Sequence, residues 1–273
     1  MHPLAQRFYN HLSYGNLGTA KTYSHLVDDF LKFLGKDYDK ATPMDFTSWY
    51  SHLEKDREFK SRRTLRVAAH ALKKFYDSMG KYELKGMIPV PSAGEVLEPK
   101  WLPEEDCFRL IGKIPVLCVA YDLALRIGEI EKLRVETLNL KTGEIEVTRL
   151  KHKDRPNKYN LLLDRWCLEI VQNYLERFKI KSGMLFPYSV STISATFRDR
   201  VKFLGIEEGY TFHCLRHSRI THRAIRELEE KGTVDIVSLA KFAGHLRADT
   251  TLMYIHLASK YLAFDRKMEV ASR

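Results

Sequence analysis

The sequence predicts a mainly α-helical protein in two segments, the second of which also carries a small three-stranded antiparallel sheet. Apolar residues recur at helical spacing through most of the 273 residues. That periodicity stops from Met87 to Lys100, where Pro89, Pro91 and Pro99 cannot continue a helix. Between Val135 and Leu163 the period shifts to two, the signature of short strands. The expected organisation is a helical domain over 1–88, a linker over 89–100 and a mixed, mostly helical domain over 101–273.

In the first domain, Tyr23, Leu26, Val27, Phe30, Leu31 and Leu34 give one apolar face behind a Thr19 cap, with Gly35 as the stop. Thr42-Pro43-Met44-Asp45 then combines a capping box with proline at the first helical position. Phe46, Trp49, Tyr50 and Leu53 mark the buried side of that second helix. The third starts near Ser61 and buries Leu65, Ala68, Ala69, Leu72, Tyr76 and Met79. Its other face carries Lys60, Arg62, Arg63, Arg66, Lys73 and Lys74, a pattern that serves either solvation or phosphate contact.

Beyond the linker, a helix near 103–112 precedes an almost wholly apolar helix, Pro115 to Leu125, expected to lie buried. Val135–Leu140, Glu144–Leu150 and Tyr159–Leu163 read as the three strands, with a polar hairpin tip from His152 to Asn157. Asp164 caps the next amphipathic helix. Helical patterns continue over 191–204, 213–229, 234–243, 250–257 and 260–269. The last places Tyr261, Leu262, Phe264 and Met268 on a short helix of its own, which is marginal without a surface to pack on.

Composition narrows the function classes. Lys plus Arg at 45 against Asp plus Glu at 35 gives +10, which favours a polyanionic partner, nucleic acid first. Residues 1–92 hold 15 basic and 10 acidic side chains and the remainder 30 and 25, so both segments carry the excess. No apolar run reaches the roughly 18 residues of a membrane span, so no membrane partner is expected. The N-terminus lacks a signal-peptide pattern, and the expected location is the cytoplasm. Cys107, Cys118, Cys167 and Cys214 are widely spaced without a CxxC pair, and are expected to be reduced and mostly buried. No carboxylate cluster suggests a metal, and neither a metal nor a cofactor is expected.

Five of the 11 histidines fall between positions 213 and 256. That window holds His213-Cys214-Leu215-Arg216-His217, then Gly244-His245, then Tyr254 nine residues on, and His256. Upstream lie Leu125-Arg126-Ile127-Gly128-Glu129 after the buried helix, and Lys151 and Lys153 on the hairpin. In this order the boxes resemble the tyrosine recombinase, or phage-type integrase, family, and Thr250-Thr251-Leu252-Met253-Tyr254-Ile255-His256 is similar to the family's T-T-x-x-Y-x-H ending. Three departures are local: Ala124-Leu125 replaces a small-residue pair, Ala243 replaces a leucine before Gly-His, and Glu229 to Asp235 looks inserted.

The resemblance implies a site-specific DNA recombinase whose N-terminal helical domain clamps duplex DNA opposite the catalytic domain, with Lys60, Arg62, Arg63, Arg66, Lys73 and Lys74 on the DNA. It implies a homo-oligomer, four protomers at a synapse on DNA formed from free monomers. The residue types suit the chemistry. Two guanidiniums, Arg126 and Arg216, can hold the nonbridging oxygens of a phosphodiester through forked hydrogen bonds. Tyr254, a poor nucleophile at neutral pH, needs adjacent cations and a base, which His213 and His245 can supply. A hairpin lysine beside two arginines can protonate the departing 5′-oxygen. Lys153 fits the family spacing best, with Lys151 the runner-up and Lys158 also nearby. Glu129 buttresses Arg126, and His217 is a further candidate. The same residue set also serves a type IB topoisomerase-like relaxing enzyme, and the fold alone would serve a non-catalytic DNA-binding protein.

Overall fold

Helix α1 (Pro3–Ser13) buries only Ala5 and Phe8, too short an apolar stripe to stand out in the sequence. His2 caps it by accepting a hydrogen bond from the Leu4 amide. The computed structural model describes residues 1–56, 61–94, 98–149 and 157–271. The chain divides into two units, Met1–Leu97 and Glu98–Arg273.

In the first unit, α2 (Leu17–Leu34) starts one turn earlier than its apolar spacing suggests. Asn16, not Thr19, is the cap, its side chain accepting from the Thr19 amide at 3.0 Å. The helix ends at Gly35, whose φ of 62° is the left-handed value a glycine adopts freely. Helix α3 (Pro43–Asp56) carries the expected capping box: the Thr42 amide and hydroxyl both donate to Asp45 at 2.7 Å. The basic helix α4 (Arg62–Ser78) buries Leu65, Ala68, Ala69, Leu72, Phe75 and Tyr76, and a short α5 (Tyr82–Met87) follows. Phe30, Phe46, Trp49, Phe75 and Tyr76 form the aromatic centre of this core, with edge-to-face contacts at 5.2 to 5.9 Å.

In the second unit, α6 (Glu104–Ile111) leads to α7 (Pro115–Asp122), buried from Val116 onward and packed between α9 (Arg165–Phe178) and α11 (His213–Lys231). Strands β1 (Glu144–Arg149) and β2 (Asn157–Leu162) pair antiparallel with Val147 opposite Tyr159. The expected third strand is not formed, and the sheet among the described residues has two strands. Val135–Thr137 closes instead into a single 3-10 turn, the Leu138 amide donating to the Val135 carbonyl. Leu138 makes one bridge to Ile145, after which Asn139 turns the chain by accepting from the amides of Lys141 and Thr142. The local side-chain bonds win over a longer ladder.

Between α7 and β1 lies a one-turn helix, α8 (Ile127–Ile130). After α9 come α10 (Val190–Phe203), α11, α12 (Ile236–Ala243) and α13 (Ala248–Ala271). The two helices expected over 250–257 and 260–269 are thus one. No glycine or proline interrupts Ala248 to Ala271, and buried Leu257 and Ala258 carry the apolar stripe across the expected gap. Tyr261 packs edge to face on Trp101 at 5.3 Å and Lys260 pairs with Glu98, so this stretch of α13 rests on its own unit. All four cysteines are free thiols in the core; burial pushes Cys107 and Cys118 up to about 12. Among the described residues, no helix is long and apolar enough to cross a membrane.

Candidate active site

The site begins where α7 ends. Ala124 adopts φ 49°, a left-handed conformation that costs a non-glycine residue about 1–2 kcal/mol. It is held there, fully buried, by what surrounds it. The turn delivers Arg126 to the start of α8, where one carboxylate grips it twice: Glu129 accepts from the Arg126 amide and from its guanidinium, both at 2.9 Å. Glu129 is fully buried, and the Arg126 side chain is 19% exposed. The buttressing expected of Glu129 has this geometry.

Helix α11 places His213, Arg216 and His217 at i, i+3 and i+4, hence on one face. Arg216 is 1% exposed and donates to the carbonyls of Ala124 and Ala243. A single guanidinium therefore joins the turn before Arg126 to the end of α12. Gly244 terminates α12 in the left-handed conformation, and His245 follows with Nδ1 3.0 Å from Thr251 Oγ1 on α13. One turn further, Tyr254 is 2% exposed. Its Oη lies 2.6 Å from His217 Nδ1, and its ring stacks with those of His217 at 5.7 Å and His245 at 5.5 Å. His213 meets His217 edge to face at 4.6 Å.

Arg126, His213, Arg216, His217, His245, Arg247 and Tyr254 all line one cavity of about 350 Å³. Burial, reinforced by His213 and Arg216, pushes the His217 imidazole down to about 4. Burial raises the Tyr254 phenol above its ordinary value, against the opposing pull of Arg216 and Arg126.

Behind the cavity, Arg219 donates to Asp122 at 3.0 Å and to Asp164, the residue that starts α9, at 2.7 Å. Asp122 also accepts from the Asp164 amide. This cluster, with Asp122 buried and Asp164 half-exposed, fastens α11 to the end of α7 and to the chain leaving β2. Burial pushes Asp122 up to about 7, with Arg219 pulling the other way. Sequence reading passed over Arg219, Asp122 and Arg247, and gave Asp164 only as a helix cap, whereas its carboxylate bonds Arg219 and makes no capping hydrogen bond. For Asp122 a signal was present, since it is the one charged residue in the apolar run Pro115 to Leu125.

Six of the expected site residues, Arg126, His213, Arg216, His217, His245 and Tyr254, thus meet at one cavity, with Glu129 directly behind. Lys151, Lys153 and Lys60 lie outside the described residues. Lys158, on β2, is paired with Glu146 at 2.9 Å. On α4, Arg63 and Lys74 are exposed and Lys73 half-buried, while Arg62 and Arg66 turn toward the chain that leaves the unit: Arg62 donates to Ser92 Oγ and Arg66 to the Pro91 carbonyl.

A helical unit is thus followed by one that gathers arginines, histidines and a tyrosine around a single cavity, and known proteins show the same features. The model of the Phage integrase family matches residues 108–260, over half of the chain, and that of the phage integrase N-terminal SAM-like domain matches residues 4–85. The chain belongs to the phage integrase family, the tyrosine recombinases. Tyrosine recombinase XerA of Saccharolobus solfataricus is 27% identical over 256 residues, covering 88% of this chain and 82% of that protein. Tyrosine recombinase XerC of Histophilus somni is 23% identical over 296 residues, covering 96% and 95%. Among solved structures, that of XerA recombinase is 25% identical and covers 99% of this chain and 98% of its own, with a TM-score of 0.52. A lambda integrase(75-356) dimer bound to a COC′ core site is 13% identical and covers 93% and 95%, with a TM-score of 0.72; at that identity the likeness is one of fold.

Proposed function

We propose that this protein is a site-specific DNA recombinase that cuts and rejoins duplex DNA through a 3′-phosphotyrosyl bond to Tyr254. The observation that carries the reading is the shared cavity: one chain sets the phenol of Tyr254 beside Arg126 and Arg216. Arg126 and Arg216 hold the nonbridging oxygens of the scissile phosphate and stabilise the charge that builds on them. Both side chains are fixed before DNA arrives, by Glu129 and by two backbone carbonyls, so little reorganisation accompanies the reaction. Tyr254 attacks phosphorus, and the 5′-oxygen leaves with a proton from the hairpin lysine, Lys153 first and Lys151 second. His213 and His245 add donors around the phosphate. The ester bond conserves the energy of the one broken, and attack by another 5′-hydroxyl rejoins the strands.

Residues 101–273 act as the catalytic domain. Residues 1–88 act as the DNA clamp, with Lys60, Arg62, Arg63, Arg66, Lys73 and Lys74 as its phosphate contacts, and 89–100 link the two. Exchange between two duplexes requires four strand cuts, hence four copies at a synapse on DNA, acting in the cytoplasm. Incubation with DNA of the source genome, denaturation and sequencing of protein-linked fragments tests the reading. The expected result is a set of adducts at one sequence that the Tyr254→Phe variant does not form; adducts persisting in that variant would remove Tyr254 from the role.

A further inference from the structure

Tyr254 Oη makes a 2.6 Å hydrogen bond to His217 Nδ1, and the two rings stack with 28° between their planes. His217 follows Arg216 directly, so the group that meets the nucleophile rides on the same helical turn as a cation proposed to hold the phosphate. The other imidazoles are placed differently. His245 presents its face to the Tyr254 ring and shares its Nδ1 with Thr251, and His213 packs edge-on against His217. Resting on the cleavage reaction proposed above, we propose that His217 is the base that takes the phenolic proton as Tyr254 attacks phosphorus.

The balance is complete within the site. The Tyr254 O–H bond breaks, its proton passing to His217 Nδ1, while Oη bonds to phosphorus. The P–O5′ bond breaks, and the leaving oxygen is protonated by the hairpin lysine. Rejoining runs the same transfers in reverse, His217 returning the proton to the phenol. A base must be unprotonated when substrate arrives, and burial keeps His217 neutral at neutral pH. Its Nδ1 then accepts from the Tyr254 hydroxyl. The groups facing it are His213 and Arg216 on α11 and Tyr254 on α13, with His245 and Arg126 on the same cavity wall. An imidazolium beside Arg216 is unfavourable until negative charge gathers on the phosphorus oxygens. Proton transfer is therefore tied to bond formation, and the interaction is strongest in the transition state.

The test measures single-turnover adduct formation on the duplex that wild-type protein cleaves, carrying a 5′-thiol leaving group so that the general acid does not limit the rate. His217→Asn keeps an acceptor atom near the position of Nδ1 but cannot take a proton; His217→Ala opens space for added imidazole. Both are expected to form adduct on the order of 10²-fold to 10⁴-fold more slowly, the range for a general base. Imidazole should restore His217→Ala in proportion to its unprotonated fraction as pH rises. A His217→Asn variant with wild-type rate would reduce His217 to a positioning acceptor and overturn the proposal. So would a His217→Ala variant that cleaves faster than wild type, or one that melts like wild type yet gains nothing from imidazole. Wild-type protein forming no adduct would instead overturn the cleavage reaction itself, so the two failures are distinct.

Discussion

Arg216, 1% exposed, directs its guanidinium at the carbonyls of Ala124 and Ala243, whereas Arg63 and Lys74 stand on the outer face of α4 in solvent. The two regions use the same residue types for different ends. A buried, doubly held guanidinium keeps one position, so under the proposed function it stabilises charge that appears only in the transition state. An exposed one is screened and mobile, so it contributes affinity that fades with salt. Within α4 the contrast is only partial: half-buried Arg66 donates to the Pro91 carbonyl, whereas Arg62, which donates to Ser92, stays exposed.

Removing the fixed cation gives the largest expected effect. Arg216→Ala should lower the single-turnover cleavage rate by on the order of 10² or more, the scale for one lost oxyanion donor. It should also lower the melting temperature, since two buried carbonyls lose their partner at about 1–3 kcal/mol each. Cleavage and melting close to wild type would mean that the buried guanidinium neither serves the phosphate nor holds the two carbonyls.

A smaller effect is expected from pH. His222 is buried on α11, its Nδ1 2.8 Å from the Tyr121 hydroxyl and its Nε2 2.8 Å from the Leu102 carbonyl, and burial pushes it down to about 4. Its unfolded value is near 6.5. A histidine depressed on folding contributes stability that is fully present above about 6.5 and is lost as pH falls toward 4, on the order of 3 kcal/mol for a shift of this size. Asp122, pushed up to about 7, acts in the opposite sense, its contribution growing as pH falls from 7. The informative quantity is therefore the difference between proteins. Melting temperature should fall less steeply between pH 6.5 and 4 in His222→Gln than in wild type; parallel curves would place the acid sensitivity elsewhere.

The smallest effects belong to α4. Arg63→Ala and Lys74→Ala should each make the log–log slope of DNA affinity against salt shallower by roughly 0.9. An unchanged slope in both would take this face off the phosphates and confine the basic footprint to the second unit.

What the sequence revealed and concealed follows the same physical line. The box from His213 to His217 was legible because its three side chains share one helical face, and spacing alone places them together. The partners of Arg216 lie 92 and 27 residues away in sequence, and no spacing rule reaches that far. Tyr254 could be located by its distance from His245, but its bond to His217 depends on how α13 crosses α11. The missing third strand turned on Asn139, whose side-chain bonds reverse the chain after a single bridge. The departure at Ala124 has a structural counterpart: alanine occupies a left-handed position where glycine carries no penalty.

Under the proposed function one chain supplies both nucleophile and cations, Tyr254 serving the phosphate held by its own Arg126 and Arg216. Mixing Tyr254→Phe protein with Arg216→Ala protein on cleavable DNA tests it most directly, because each variant lacks what the other retains. No recovery of the covalent adduct is expected, since neither chain holds both nucleophile and cation. An adduct on the Arg216→Ala chain, formed only in the mixture, would contradict it by placing the tyrosine of one protomer in the site of another.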